Sequence, residues 1–378
     1  MTDHRLPYPP RKFIIIRKIA PWLTIILSAL VGILLVELFC RIFFPLATEN
    51  SQNKAMQRVV FFDGRETIFR NQGEIFTYIP HNEVRNLTAF FADDGFSVEY
   101  DYHFWTNNFG LVQDADIAPE RASLLLLGDS FTEGQGAEPW FRLVSPEIDK
   151  LGYQPVNGGL LGTGFEQWLK LGRYLAAENV RIRKVVVLFI SLDYNRSSWN
   201  FMPNDFRCLS SLQLCRVDES HLYRLPPWEE LSLWIAEIAA ARASRAGRGP
   251  AAKHGWLATR AAALLPASYH VYTYFRSGRA EQQSRAAIGE LIGMYGRENI
   301  AFFHLPQKDE IDSGPNNLGL RARRSVKEAG GKLFDGFKLC RLTSTDYYSN
   351  DEHPNGAGYS KIAICLTNVL KEVVAAVQ

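Results

Sequence analysis

A serine lies where a buried strand is expected to end. Leu124 to Leu127 are four consecutive leucines, a short apolar run typical of a strand covered on both faces. Gly128, Asp129 and Ser130 follow this run. A sharp turn here would push the Ser130 hydroxyl out of the sheet, and backbone N–H groups of the next element would point toward it. Ser130 is therefore a candidate nucleophile, provided that another part of the chain supplies a base.

A histidine near the carboxyl end is the natural base. His353 precedes an expected helix, and Asp351 lies two positions before it. Asp351 can accept a hydrogen bond from one imidazole nitrogen while the other takes the serine proton. One loop can hold both side chains at the carboxyl edge of a parallel sheet, where open α/β folds place their sites. The sequence therefore predicts Ser130 as nucleophile, His353 as base and Asp351 as its partner.

A second Asp-x-His pair competes for the same role. Asp101 and His103 have the same spacing and precede Ser130. Their surroundings, residues 100–105, are aromatic and favour a strand that carries a structural or surface histidine. The other histidines considered have no acid that marks them as a base, and a structural or surface role is expected: His221, His254, His270 and His304.

The segments after residue 121 alternate between strand and helix patterns. Apolar runs predict strands at 124–127, 153–156, 184–190, 299–304 and 332–334. Helical spacing predicts helices at 140–151, 165–177, 281–295, 318–329 and 360–376. This alternation is typical of a mainly parallel sheet covered on both faces, and residues 121–378 are predicted to form one α/β domain.

Two segments depart from this alternation. Residues 48–120 contain β-like runs at 59–62, 75–78 and 96–100 and predict a small β-containing extension. Residues 196–280 predict a mainly helical, cap-like insertion. The insertion carries four tryptophans and a set of basic residues, for which an anionic ligand and a solvated helix face are both possible: Trp199, Trp228, Trp234, Trp256, Arg242, Arg245, Arg248, Lys253 and Arg260.

The amino terminus predicts a membrane anchor. Residues 19–44 are largely apolar and can span a hydrocarbon core of about 30 Å. Residues 1–18 are basic, which predicts a cytoplasmic tail and places everything after residue 45 outside. A cleaved signal peptide is disfavoured because the apolar run is long and residues 45–47 lack a suitable cleavage site. A buried core helix is disfavoured by the basic flank.

Composition excludes several classes of function. The chain has 378 residues and a net charge of +2, which gives no reason to expect nucleic acid as a partner. No phosphate-binding loop, dinucleotide fingerprint or zinc spacing occurs, and no cofactor or metal is predicted. A Cys208–Cys215 disulfide and buried free thiols are both possible, and Cys340 with Cys365 is a weaker pair.

Three motifs together resemble the SGNH/GDSL hydrolase superfamily. They are GDSFTEGQG at 128–136, NGGLLGTG at 157–164 and DEHPNGAGY at 351–359. The anchor and the Thr-Asn-x-x-Gly segment at 106–110 resemble membrane-anchored bacterial members. The resemblance implies a three-layer α/β/α, flavodoxin-like fold and the nucleophile, base and acid assigned above.

The resemblance also implies an oxyanion hole. Ser130 and Gly162 match the residues whose N–H groups form it, and an asparagine after the next strand usually supplies a third donor. This chain departs from that pattern, because residues 189–195 contain no Gly-x-Asn-Asp. Either Asn195 takes the donor role, or Asp193 occupies the position without donating.

Three functions remain open. The first is a serine ester hydrolase that deacylates, chiefly deacetylates, an envelope or exported polysaccharide at the outer face of the cytoplasmic membrane. The second is a polysaccharide O-acyltransferase that uses the same acyl-enzyme and a membrane acyl-transfer partner. The third is a non-catalytic glycan-binding or assembly component. The expected partners are an acylated carbohydrate or other ester and, through residues 19–44, the membrane.

Overall fold

The computed structural model describes residues 24–25, 27–36, 38, 57–65, 68–72, 74–92, 95–137, 139–196, 203–215, 217, 220–246 and 266–375. The chain divides into two compact units, Met1–Asn53 with Arg245–Phe275, and Lys54–Ser244 with Arg276–Gln378. Both large sheets and the candidate site belong to the second unit.

The described strands and helices have the following bounds. The strands are β1 Gln57–Asp63, β2 Phe69–Asn71, β3 Phe76–Tyr78, β4 Glu83–Ala92, β5 Gly95–Trp105, β6 Ser123–Gly128, β7 Gln154–Gly159, β8 Ile182–Phe189, β9 Leu222–Arg224, β10 Ile300–His304 and β11 Lys332–Asp335. The α-helices are α1 Ser130–Glu133, α2 Phe141–Lys150, α3 Phe165–Ala177, α4 Pro203–Ser210, α5 Leu231–Ala246, α6 Pro266–Tyr295, α7 Asn317–Glu328, α8 Gly336–Leu339 and α9 Gly356–Ala375.

A five-stranded parallel sheet forms the centre of the second unit, in the order β11-β10-β8-β6-β7. Its side chains alternate between two cores, as a strand period of two requires. Leu125 and Leu127 of β6 face the core shared with α3, α6 and α7. Leu124 and Leu126 face the core shared with α2 and α9. The predicted α/β fold on a parallel sheet is confirmed, and helices cover both of its faces.

A second sheet, in the order β5-β4-β1-β9, joins two segments that the sequence treats separately. Strands β1, β4 and β5 come from the extension, whereas β9 comes from the insertion and pairs in parallel with β1. Helix α5 of the insertion covers this sheet, with Leu231, Ile235 and Ile238 packed on Val59 and Phe61. We call this sheet with α5 the accessory layer. Its β4 was absent from the sequence prediction.

Within the insertion, the described residues are helical in part, as expected. Trp199 and Trp256 lie outside the described residues, as do Arg248, Lys253 and Arg260. Arg242 donates from Nη1 to the backbone carbonyl of Arg58 at 2.6 Å, so it is bound within the protein. Disulfides join both cysteine pairs considered from the sequence, Cys208–Cys215 and Cys340–Cys365.

The predicted basic tail, 1–18, and part of the predicted span, 19–44, lie outside the described residues. Residues 24–25, 27–36 and 38 are helical, and their large aliphatic side chains are exposed. Within the described residues, no helix combines the length and the hydropathy needed to cross a bilayer.

Close packing at the end of β7 requires a glycine. A Cβ on Gly159 would lie 2.1 Å from Glu133 N and 2.4 Å from Thr132 C, which are backbone atoms of α1. We expect Gly159→Ala to displace α1 and to lower the free energy of unfolding by about 1–3 kcal/mol. Chemical denaturation measures this loss.

The matched control is Gly289→Ala in the exposed part of α6, where a Cβ meets no atom within 4 Å. This substitution should raise the free energy of unfolding by about 0.5–1 kcal/mol, because alanine favours a helix interior. Equal effects of the two substitutions would contradict the packing argument.

Candidate active site

Ser130 lies at the first turn after β6, as predicted. Asp129 caps α1 by accepting the Phe131 N–H at 2.9 Å. Gly128 permits the close packing of the turn on β8, because a Cβ there would lie 2.6 Å from the backbone oxygen of Leu188. The turn leaves Ser130 at the carboxyl edge of the parallel sheet with 6% of its surface exposed.

His353 and Asp351 meet Ser130 from the loop that precedes α9. His353 Nε2 lies 2.7 Å from Ser130 Oγ, and His353 Nδ1 lies 2.5 Å from Asp351 Oδ1. A carboxylate accepts, so Nδ1 carries the proton and Nε2 is free to accept from the serine hydroxyl. The structure thus brings together the three residues predicted as nucleophile, base and acid, in the order that nucleophilic catalysis by serine requires.

The accessory layer holds the second oxygen of Asp351. Tyr100 of β5 donates its hydroxyl to Asp351 Oδ2 at 2.8 Å, and Arg58 of β1 places Nε 3.1 Å from the same oxygen. Arg58 Nη2 also donates to Tyr100 Oη at 2.8 Å. Burial would raise the pKa of Asp351, but the nearby charges of His353 and Arg58 outweigh it and lower that pKa well below its usual value. Asp351 is therefore held as a carboxylate.

The loop after β7 brings Gly162 to the nucleophile turn. Leu160 N donates to Gly128 O at 3.1 Å, and Leu161 N donates to Glu133 Oε2 at 2.7 Å. Gly162 has φ of 69°, a left-handed conformation that favours glycine. Within the described residues, no acceptor binds the N–H of Ser130 or of Gly162. Both amides therefore remain available for a developing oxyanion.

The segment after β8 brings an acid and a cation to the nucleophile turn. Residues Ser191–Asn195 form a 3₁₀-helix that buries Asp193 completely. Arg196 Nη1 donates to Asp193 Oδ1 at 2.6 Å and to Asp129 Oδ2 at 2.8 Å. The side chain of Asn195 makes no hydrogen bond with the described residues, and its role as a donor stays a prediction. We call Asp129, Asp193 and Arg196 the arginine cluster.

The competing Asp101–His103 pair does not reach Ser130. Asp101 forms two hydrogen bonds with Arg85 of β4, at 2.8 and 2.6 Å. His103 has a half-exposed side chain and lies 3.3 Å from Glu83. These contacts belong to the pairing of β4 with β5, so the alternative base is wrong and the simpler expectation of a histidine on an aromatic strand holds.

Two of the remaining histidines, His221 and His304, bind other groups than Ser130. His304 is buried, stacks on Phe189 and accepts from Arg323 at Nδ1. His221 lies 3.8 Å from Asp205 in the insertion. His254 lies outside the described residues. Among the described residues, no group of three or more His, Cys, Asp or Glu is arranged to hold a metal ion.

Glu133 is a buried acid that the sequence reasoning missed. It accepts from Tyr78 Oη at 2.9 Å in addition to Leu161 N. Burial raises its pKa to about 8, and the two hydrogen bonds oppose this shift. The available signal was an acid three residues after the candidate nucleophile, on the same short turn.

A cavity of about 590 Å³ lies beside the site. It opens between β5 and the first turns of α2 and α9, and Tyr100 and Tyr348 line it. Ser130, His353 and Gly162 do not line this cavity. It is therefore not the place where an acyl group would meet Ser130.

The fold and the three aligned side chains define an α/β protein with a serine-hydrolase arrangement. No family model and no curated protein matches the sequence. The chain is similar to solved structures that include proteins of the SGNH and G-D-S-L families, the superfamily that its motifs resemble.

Three of these structures illustrate the similarity. An SGNH-hydrolase family esterase, AlinE4, is 10% identical, with 69% of this chain and 98% of that chain covered and a TM-score of 0.29. A lipolytic G-D-S-L family protein from Veillonella parvula is 12% identical, with 66% and 98% covered and a TM-score of 0.30. LAE5, an alpha/beta hydrolase from the metagenome of Lake Arreo, Spain, is 14% identical, with 68% and 98% covered and a TM-score of 0.32.

Glu133 should make the stability of the fold depend on pH. Because its pKa is raised, its contribution is fully present below the ordinary pKa of 4.5 and is lost as the pH rises through about 8. Glu133→Gln cannot ionise, and its amide can still accept from Leu161 N and donate to Tyr78. We expect this variant to lose less stability between pH 5 and pH 8, measured by melting temperature.

The control for this experiment is Glu178→Gln at the exposed end of α3. It should reproduce the pH dependence of the unsubstituted protein. Parallel melting curves for Glu133→Gln and Glu178→Gln would show that Glu133 does not carry the effect.

Tyr100 should control the reactivity of Ser130 through Asp351. Tyr100→Phe removes one of the two groups that bind Asp351 Oδ2, so the carboxylate and the imidazole are less firmly oriented. We expect the rate of Ser130 labelling by a fluorophosphonate to fall by about tenfold, which corresponds to about 1.4 kcal/mol in the barrier.

Tyr153→Phe is the control for Tyr100→Phe. Tyr153 directly precedes β7, so it lies at the amino end of a parallel strand, whereas the site lies at the carboxyl ends. Its labelling rate should be unchanged. Unchanged labelling of Tyr100→Phe would mean that the accessory layer does not orient the base.

Proposed function

We propose that this chain is a serine ester hydrolase that deacylates, chiefly deacetylates, an envelope or exported polysaccharide at the outer face of the cytoplasmic membrane. The observation that carries the proposal is the continuous contact from Ser130 Oγ through His353 to Asp351. A non-catalytic glycan-binding protein has no need for this alignment, so the same contact weighs against the third hypothesis.

The first half of the reaction forms an acyl-enzyme. Ser130 Oγ attacks the acyl carbonyl while His353 Nε2 takes the hydroxyl proton. The carbonyl oxygen becomes an oxyanion and accepts from the amides of Ser130 and Gly162. The intermediate collapses when His353 returns the proton to the oxygen of the departing sugar, which breaks the ester bond and leaves the acyl group on Ser130.

The second half repeats these steps with water as the nucleophile. His353 Nε2 takes a proton from water, and the hydroxide attacks the acyl carbon. The new oxyanion occupies the same two amides. His353 then protonates Ser130 Oγ, which releases the carboxylic acid. Asp351 remains ionised throughout and stabilises the imidazolium that forms in each half.

The amino-terminal segment supports the location in this proposal. The described residues between 24 and 38 form a helix with exposed aliphatic side chains. Five basic residues precede this segment: Arg5, Arg11, Lys12, Arg17 and Lys18. A membrane anchor with a basic cytoplasmic tail would hold the site near envelope polymers on the outer side, where acylated carbohydrate is one of the esters within reach.

Low exposure of the site favours one alternative. Ser130 is 6% exposed and His353 is 7% exposed. An acyl-enzyme that is shielded from water is hydrolysed slowly. It can therefore persist until a sugar hydroxyl binds and accepts the acyl group. A polysaccharide O-acyltransferase, supplied by a membrane acyl donor, is therefore the second candidate. It differs from the hydrolase only in what resolves the acyl-enzyme.

Substitution of the nucleophile and the base tests this proposal. We expect Ser130→Ala and His353→Ala in the full chain each to lower kcat on a short-chain aryl ester by more than about 10⁴-fold, because the two groups act as one unit. His103→Ala is the matched control and should keep full activity. Full activity of Ser130→Ala would remove Ser130 as the nucleophile.

Product analysis separates the two candidate functions. A glycan carrying labelled acetyl groups should release labelled acetate when incubated with the hydrolase. A transferase would instead move labelled acetyl from a membrane donor to a glycan and release little acetate. A chain that neither reacts with a fluorophosphonate nor turns over any ester would favour the binding protein.

A further inference from the structure

The arginine cluster includes Asp129, the residue that caps the nucleophile turn. Asp129 and Asp193 are buried, with 1% and 0% of their surfaces exposed, and a single guanidinium group binds both. About a quarter of the Arg196 side chain is exposed, with a relative accessibility of 24%. The cluster therefore has two buried acids and a partly exposed cation. Neither half of the hydrolysis uses it.

The contacts of Arg196 place its guanidinium between the two halves of the oxyanion site. Nη1 lies 2.8 Å from the carboxylate of Asp129, the residue before Ser130. The same nitrogen lies 3.3 Å from the carbonyl oxygen of Thr163, the residue after Gly162. One cationic group thus contacts the immediate neighbours of both free amides and holds the two segments together.

These contacts leave two nitrogens of the guanidinium, Nε and Nη2, unused. Within the part of the chain that the structure describes, Nη1 makes the hydrogen bonds of the Arg196 side chain, and Nε and Nη2 have no acceptor there. A guanidinium carries five N–H donors in a rigid, planar fork. Because Nη1 is fixed, the direction of the other donors is fixed as well, as preorganised stabilisation of an oxyanion requires.

The charge on Arg196 is retained inside this cluster. Burial would lower its pKa, but the carboxylates of Asp193 and Asp129 raise it, with a further contribution from Glu352. Glu352 precedes His353, so the loop that carries the base also acts electrostatically on the guanidinium. Burial and the neighbouring Asp129 raise the pKa of Asp193, which limits the negative charge beneath the turn.

We infer that Arg196 is the third oxyanion donor of this chain, in place of the asparagine that its sequence lacks. Nη1 anchors the guanidinium to Asp129, Asp193 and Thr163 O, and the free N–H groups donate to the oxyanion formed during attack by Ser130. The inference rests on the proposed function. It assigns a catalytic role to a residue that no motif marks.

The test compares Arg196→Ala in the full chain with Arg173→Ala, an exposed arginine of α3 paired with Glu290. We expect Arg196→Ala to lower kcat on a short-chain aryl ester by about 10²–10³-fold with KM changed by less than about threefold. Affinity for phenylboronic acid, whose adduct with Ser130 places an oxygen in the same position, should fall by a similar factor. Arg173→Ala should leave all three quantities unchanged.

A rescue experiment and one further variant separate a donor role from a structural one. Millimolar guanidinium should restore part of the kcat of Arg196→Ala, whereas a folding defect would not respond. Arg196→Ala could fail to fold because two acids lose their cation. In that case the double variant Asp193→Asn/Arg196→Ala, which removes one charge of each sign, takes the place of the single variant in the test. Melting temperature reports folding in each case, and the double variant should show the same loss of kcat and boronate affinity.

Three outcomes would overturn the inference. The first is full kcat and boronate affinity in a folded Arg196 variant. The second is the loss of both quantities in Asn195→Ala instead, which would make Asn195 the donor. The third is an unsubstituted chain that a fluorophosphonate does not label, which would overturn the proposed function and this inference together. Labelling of the unsubstituted chain therefore distinguishes the two failures.

Discussion

The binding of Asp351 on both of its oxygens is the constraint on which the site depends. Oδ1 accepts from His353, while Oδ2 is held by Tyr100 and Arg58. A buried carboxylate with one free oxygen would be costly and free to rotate, whereas one bound on both sides is fixed and ionised. The loop that carries the base therefore docks on the accessory layer as well as on the parallel sheet. Glu99 of β5 adds to this docking by accepting two hydrogen bonds from Asn350.

Three buried acids, in and next to the nucleophile turn, impose a second constraint. Asp129, Glu133 and Asp193 are almost fully buried, and burial raises the pKa of the last two. Each acid nevertheless binds a neighbouring segment: Glu133 binds the loop of Gly162, and the other two bind Arg196. The acids thus fix the relative positions of the turn, the loop and the 3₁₀-helix. This polar network fixes the positions of the two segments that carry the free amides, because apolar contacts alone do not fix orientation as closely.

The sequence predicts those parts of the site that depend on short-range patterns. A leucine run ending in a turn located Ser130, and the spacing of two residues paired Asp351 with His353 in one loop. The contacts of Tyr100 and Arg58 with Asp351 could not be predicted, because they require the pairing of strands far apart in the chain. Strand β9 has only three residues, too few to show the alternation of a strand, so its pairing with β1 could not be predicted either. Arg196 escaped notice because the resemblance directs attention to an asparagine.

The accessory layer connects the insertion to the base without touching the nucleophile. Helix α5 packs on β1, and Arg242 of α5 donates to the backbone carbonyl of Arg58. The side chain of that same residue then reaches Asp351. A displacement of α5 would move β1, and with it the group that holds Asp351 Oδ2. The extension and the insertion thus act as one support, which explains why two segments separated by the first half of the parallel sheet share a single β-sheet.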